Sequence, residues 1–377
     1  NAKKNRMKDA DLENVCKLVD ILNPQRRVSS YQDWFQLGLA LYHSHNDGER
    51  LLEKWIEISK KVPDYAASAE TVCTKEWYEK FNSRVWMDPP GIGSIKMWAK
   101  IDDPEAYSKI ISNELSAWID KSLTNGDSWD VAKVVYEMYK TEYICINADK
   151  KLWYYYNSYE HRWNELTDAM LLRRKLSVEV YGQYKNREEF FSMKSSEAGD
   201  TWHAKKEKIS KITSKLKKTS FKGNVMKECA EHFYDVARKF NQKLDSNPNL
   251  LGFTNGVYDL DSYEFRDGQP EDYISNSTGI EYREFNLDDP EFRRVYDFFQ
   301  DMINQIFPSQ DVKKYVLLLF ASFLSGSTKN EQFNIWYGGG ANGKSLLIEL
   351  FQECLGDYAC ILPTTLLTKA RAASNAA

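Results

Sequence analysis

The chain has 377 residues, enough at roughly 100–200 residues per domain for two or three domains, each burying its own core. Lys+Arg 51 against Asp+Glu 55 gives a formal net charge of -4, which excludes a uniformly basic nucleic-acid-coating protein and confines any polyanion site to a local patch. Hydrophobic residues at 42% and aromatics at 14% are the composition of a folded globular protein.

The polar segment 1–8 has no signal-peptide core, and no run approaches about 18 apolar residues, so neither secretion nor a membrane span is expected. From residue 31 to 101 the pattern is helical. Trp34, Leu37 and Leu41 recur at i, i+3 and i+7, Leu52, Trp55 and Ile56 follow Asp47-Gly48, and Pro89-Pro90-Gly91 breaks the pattern before Ser94 caps a helix to Ile101. The tryptophans Trp34, Trp55, Trp77, Trp86 and Trp98 could stack on bases, but at helical spacing the ordinary reading is core. Asp102-Asp103-Pro104 opens a helix to about Leu123, and Asn125-Gly126-Asp127 ends it.

Ser128 then caps a helix through Tyr139, and Tyr143–Asn147 with Leu152–Tyr156 predicts an aromatic β-hairpin that His161-Arg162-Trp163 extends. Those strand aromatics are readily explained by β preference alone. Residues 167–181 and 202–244 read as helical, with Val225, Met226, Cys229, Phe233, Val236 and Phe240 on one apolar stripe. Lys205, Lys206, Lys208, Lys211, Lys215, Lys217, Lys218 and Lys222 face only Glu207 between residues 203 and 222. Such a density can neutralise phosphates along a strand, and Lys211, Lys215, Lys217 and Lys218 are the candidate DNA contacts; the plain alternative is a solvated helix face.

Short strands and turns follow: Leu250–Phe253, Asn255-Gly256, Val257–Leu260, Glu264–Arg266, Asp267-Gly268 and Ile280–Tyr282. Asp289-Pro290 starts a helix to about Ile306, and another runs from Asp311 to Ser325, whose apolar stretch from Tyr315 to Leu324 is expected to be buried all round. The cysteines Cys16, Cys73, Cys145, Cys229, Cys354 and Cys360 form no C-x-x-C pair and have no close histidine, so no disulfide framework or zinc site is expected and the thiols read as reduced and intracellular.

The chemistry-bearing segment comes late. Gln332–Tyr337 is expected to be a strand leading into Gly338-Gly339-Gly340-Ala341-Asn342-Gly343-Lys344-Ser345, which matches G-x-x-x-x-G-K-[ST], with a helix from Leu346 to Leu355. Glycines let consecutive N–H groups point at phosphate oxygens, and the positive end of the following helix adds to that field. Lys344 would hold the β- and γ-phosphates and act in catalysis, while the Ser345 hydroxyl would ligate Mg²⁺. The bare pattern arises by chance in roughly one chain in a hundred of this length. ATP or another NTP with Mg²⁺ is therefore the expected cofactor. Hydrolysis also needs a second acid on an apolar strand, and among Glu349, Glu353 and Asp357 none ends such a strand, so the catalytic half is expected to lie beyond the given residues.

The 338–345 loop, with Leu346–Phe351, Gly356-Asp357-Tyr358, Leu362–Leu367 and Arg371–Ala377, resembles the superfamily 3 helicase core of poxvirus-type primase-helicases of large DNA viruses and some phages. Phe253–Asp259, Phe265-Arg266 and Pro270–Ser275 are similar to the segment preceding that motor, Trp153–Asn157 with Arg162-Trp163 to its N-terminal hairpin, and residues from about 10 to 100 to the helical domain that follows the primase domain. The resemblance implies a mixed α and β fold: a helical domain at 1–102, an α+β domain with the hairpin at 103–288, and the start of an α/β, AAA+-like motor at 289–377. It implies an ATP-hydrolysing 3′-to-5′ replicative DNA helicase, acting as a hexameric ring on single-stranded or forked DNA at a viral replication site in host cytoplasm or nucleus. A primase domain would precede Asn1, and the second acids, sensor residue, arginine finger and pore hairpin would follow Ala377. Only Gly338, Gly343, Lys344, Ser345 and the family-typical Asn342 take roles from it. The alternatives are a non-catalytic region for assembly, primase coupling or DNA docking, and more weakly a nucleotide kinase, whose loop usually lies near the N-terminus.

Overall fold

The computed structural model describes residues 9–44, 48–83, 89–197, 200–327, 332–363 and 365, so Asp47, Trp86 and the motif residues 364, 366–367 and 371–377 lie outside the described residues. The chain divides into two compact units, residues 1–138 with 176–225 and residues 139–175 with 226–377.

The first unit is helical. Helices α1 (Asp9–Asp20), α2 (Tyr31–Ser44), α3 (Gly48–Lys60) and α4 (Ile92–Asp102) enclose a core that contains Leu37, Leu41, Trp55 and Phe81. Gly38 is required there: a Cβ at that position would sit 2.3 Å from the Trp55 ring. Trp34 stacks on Trp55 with centroids 4.6 Å apart, and the Trp34 indole N–H donates to Ser59 Oγ at 3.0 Å. Trp34, Trp55 and Trp77 are buried, so they are core and not a base-stacking platform. The α4 start differs from expectation: Gly91 occupies the cap position and Ser94 lies inside the helix. Helix α5 (Pro104–Ser122) is capped by Asp103, whose carboxylate accepts the Ala106 N–H at 2.9 Å, and α6 (Ser128–Tyr139) follows.

The second unit begins with the antiparallel sheet β1 (Tyr143–Asn147), β2 (Leu152–Asn157), β3 (Arg162–Thr167), in register Tyr143 opposite Tyr155 and Tyr156 opposite Trp163. The first unit resumes with α7 (Tyr181–Glu197) and α8 (Asp200–Lys215), which pair along their lengths, and leads into α9 (Thr219–His232). The apolar stripe expected to reach Phe240 stops at His232. The backbone instead serves β1: Cys145 N–H donates to Phe233 O at 2.9 Å and Asp235 N–H to Cys145 O at 3.0 Å, leaving Val236 83% exposed.

Strands β4 (Leu250–Phe253), β5 (Gly256–Asp259) and β6 (Glu264–Arg266) make a second antiparallel sheet. The strand expected at 280–282 does not form; one backbone–backbone bond, Thr254 N–H to Ile280 O at 3.0 Å, remains there, and the Asn255 side chain accepts the Tyr282 N–H at 2.9 Å. Helices α10 (Pro290–Ile306), α11 (Gln310–Ser322) and α12 (Lys344–Leu355) share a small core of Ile303, Val316, Phe320 and Leu347, with Phe351 stacked on Phe320 at 4.3 Å.

Two expectations fail in this region. Tyr315 and Leu318 on α11 are 56% and 62% exposed, because the helix packs through one face, that of Val316, Leu319 and Phe320. Residues 332–337 are extended but not a strand, since a strand exists only as a hydrogen-bonded partner and no ladder includes them among the described residues. Trp336 turns inward onto Phe320 and Phe307, while Phe333, Ile335 and Tyr337 face outward. The fold is thus mixed α and β, mostly helical with two small antiparallel sheets, and the parallel sheet of an α/β motor is not formed among the described residues.

Candidate nucleotide site and basic face

The segment between Tyr337 and α12 turns through three residues of positive φ, Gly340 at 85°, Ala341 at 47° and Gly343 at 78°. Left-handed geometry is cheap for glycine and costs an L residue such as Ala341 about 1 kcal/mol. Gly343 has a second reason to be glycine: an added Cβ would lie 2.7 Å from Ile306 Cγ1, so the end of α10 is the floor on which the loop rests. Gly343 also occupies the N-cap of α12 without a side-chain hydrogen bond, and the first turn of the helix carries no acid. The backbone donors of that turn therefore open at the loop mouth with the helix dipole behind them.

Lys344 and Ser345 stand at the first two positions of α12. Lys344 Nζ donates to Asn342 Oδ1 at 2.6 Å and makes no ion pair among the described residues, so its charge stays available to an anion. Ser345 is exposed. Among the described residues no group of three or more His, Cys, Asp or Glu side chains could hold a metal. A magnesium ion at Ser345 would thus depend on nucleotide oxygens and on acids from elsewhere. Uncapped helix donors, a left-handed glycine loop and an uncompensated ammonium fit a polyphosphate.

The far end of α12 is fastened by contacts with no counterpart in the sequence reading. After Leu355 the chain turns at Gly356, and Asp357 N–H donates to Ser277 O at 2.9 Å. Asp357 Oδ2 accepts from Ser277 N–H at 3.1 Å and from Arg162 Nη1 at 3.0 Å. Tyr358 OH accepts the Gly252 N–H at 2.9 Å and donates to Asn276 O at 3.0 Å. Burial pushes the Tyr358 phenol up to about 12. Residues 274–278 also accept Trp163 N–H at Ile274 O and donate Thr278 N–H to Gly252 O, so β3, β4 and the end of α12 meet on one segment.

In the other unit, α8 turns Ile209, Ile212 and Thr213 inward and leaves Lys211 and Lys215 exposed, and in the turn that follows Leu216 is buried while Lys217 and Lys218 are exposed. None of these four lysines makes an ion pair among the described residues. Lys217 Nζ lies 3.9 Å from the Tyr181 ring centroid and Lys215 Nζ 5.7 Å from that of Phe221, so basic and aromatic groups alternate on this face. Lys222 instead donates to Ser177 Oγ at 2.8 Å and Lys205 approaches Asp120 at 4.0 Å, which ties both into the unit. Cys16, Cys73, Cys145 and Cys229 are buried free thiols, with Cys73 and Cys145 pushed up to about 11 by burial, and Cys354 and Cys360 are exposed. No helix of the described residues is long and apolar enough to cross a membrane.

Along the chain a helical region, the sheet β1–β3, the sheet β4–β6 and the glycine-lysine loop follow in this order. Residues 15–99 match the family described as Primase C terminal 2, and residues 132–308 match the family described as D5 N terminal like. A protein named "putative helicase" from Acanthamoeba polyphaga mimivirus is 33% identical over 374 residues, covering 97% of this chain and 36% of the relative. One named "putative helicase" from Invertebrate iridescent virus 3 is 26% identical, covering 95% of this chain and 41% of its own. One named "putative primase" from African swine fever virus is 26% identical, covering 96% and 39%. The chain spans under half the length of these relatives, and its likeness is consistently to proteins named "putative helicase" or "putative primase" from large DNA viruses.

Proposed function

We propose that this chain is part of a replicative DNA helicase that unwinds DNA with the energy of NTP hydrolysis. Residues 338–345 cradle the triphosphate: backbone N–H groups of the loop and first turn of α12 bind the phosphates, Lys344 neutralises their charge, and Ser345 ligates magnesium. The bound nucleotide supplies the phosphoryl group whose hydrolysis drives movement. The single observation that supports this most is the uncapped start of α12 beside a lysine that no carboxylate compensates. The names of the relatives, helicase and primase, support DNA as the partner. Single-stranded DNA runs over Lys211, Lys215, Lys217 and Lys218, whose exposed charge beside Tyr181 and Phe221 suits a strand with splayed bases. The protein works as a hexameric ring coupled to a primase domain.

Strand displacement on a forked substrate tests this in the chain extended to its relatives' length. Wild type separates the strands only with NTP and magnesium, and Lys344→Ala abolishes separation while its melting curve is unchanged. Equal unwinding by the variant refutes the site.

A further inference from the structure

The loop contains a contact that phosphate binding alone does not require. Lys344 Nζ donates to Asn342 Oδ1 at 2.6 Å, and a Cβ on Gly338 would lie 2.6 Å from Asn342 Nδ2 and 2.8 Å from Lys344 Nζ. The carboxamide therefore spans the mouth of the loop, its oxygen on the ammonium and its nitrogen against the Gly338 main chain. Left-handed φ angles at Ala341 and Gly343, on either side of Asn342, turn that side chain back across the loop. A Cβ on Gly338 would push the ends of both side chains out of this arrangement.

The chemistry of an amide matters here. A lysine ammonium rides on four methylenes and, unrestrained, samples many rotamers, so an empty loop with nothing to hold it would bind a phosphate only at the cost of ordering that stem. An aspartate in the same place would hold the ammonium more firmly and cancel its charge, and would repel an incoming phosphate. A neutral acceptor orders the lysine and leaves its charge intact. The Asn342 amide nitrogen has no acceptor among the described residues, so a donor stands beside the ammonium.

We propose that Asn342 is a positioning residue for Lys344: its amide oxygen holds the ammonium over the loop, and its amide N–H joins the lysine on the incoming phosphate. This rests on the reading of 338–345 as a nucleotide loop. It assigns to the residue before the last glycine a task separate from shaping the turn.

The test uses Asn342→Ala and Asn342→Asp beside Lys344→Ala in the chain extended to its relatives' length, with two readouts. The first is binding of a fluorescent ATP analogue. Asn342→Ala should weaken it about tenfold, the worth of one hydrogen bond to a charged group, and Asn342→Asp should weaken it further. The second needs no nucleotide: the rate at which acetic anhydride acetylates Lys344, read by mass spectrometry. Relative to wild type that rate should rise in Asn342→Ala, where the ammonium is released, and fall in Asn342→Asp, where it is paired. A general loss of folding would move both variants the same way. Wild-type labelling and affinity within twofold in Asn342→Ala overturn the assignment. Wild-type binding no better than that of Lys344→Ala overturns the nucleotide reading and the phosphate half of the proposal with it, while the labelling rates still decide whether Asn342 holds the lysine.

Discussion

Asp357→Ala should loosen the end of α12 from the segment 274–278, and the loss can be apportioned from the contacts. The Arg162–Asp357 pair is 29% and 54% exposed on its two side chains, so screening leaves it worth about 0.5 kcal/mol, and Arg162 keeps Glu160 at 2.9 Å. Ser277 is only 5% exposed, and without the carboxylate its N–H has no acceptor, which costs about 1–2 kcal/mol. The buried N–H outweighs the ion pair, and the sum is about 2 kcal/mol. For a unit of this size that lowers the melting temperature by roughly 4–8 °C. Asp357→Asn keeps an acceptor for Ser277 and should lose only about 0.5 kcal/mol. Thermal denaturation of both variants, with amide hydrogen exchange read at Ser277 and Gly252, measures the difference. Equal losses in the two variants would show that the charge pair dominates, and unchanged exchange at Ser277 would refute the reasoning altogether.

Charge reversal of Lys215, Lys217 and Lys218 to glutamate should weaken single-strand binding and lower the slope of log K against log salt by about 2, because each contact releases roughly 0.7 counterion on a single strand. An unaltered slope returns that face to plain solvated surface. Alkali should also act through Tyr358, whose phenol burial raises from its ordinary value of 10.0 to about 12. The folded state then holds a proton that the unfolded chain has released, so this share of stability is complete below pH 10 and is lost as the pH rises toward 12. Melting temperatures between pH 9 and 12 should fall less steeply in Tyr358→Phe than in wild type, and parallel curves would contradict the assignment.

Much of this was readable from local pattern. Helix starts with a proline behind an aspartate, at Asp103-Pro104 and Asp289-Pro290, appear where expected because the cap and the fixed φ are local properties. The hairpin at 143–157 follows from its alternation and turn. What escaped the pattern depends on partners distant in sequence. Residues 332–337 carry the composition of a strand, yet a strand needs a neighbour, and none is described beside them. The stripe from Val225 to Phe240 keeps helical spacing past His232, but pairing with Cys145 took the backbone of 233–235. The loop at 338–345 was visible as a motif, whereas its floor at Ile306 and the Arg162–Asp357 pair were not, since nothing local joins residues 37 or 195 positions apart, and the Asn342–Lys344 contact depends on the left-handed turns at Ala341 and Gly343.

The central claim, that residues 338–345 turn over NTP for DNA unwinding, is tested most directly by DNA-stimulated ATP hydrolysis in the chain extended to its relatives' length. The account predicts magnesium-dependent turnover that rises with single-stranded DNA and disappears in Lys344→Ala at unchanged fold. Turnover that survives this substitution, or a correctly folded wild type with none, would contradict it.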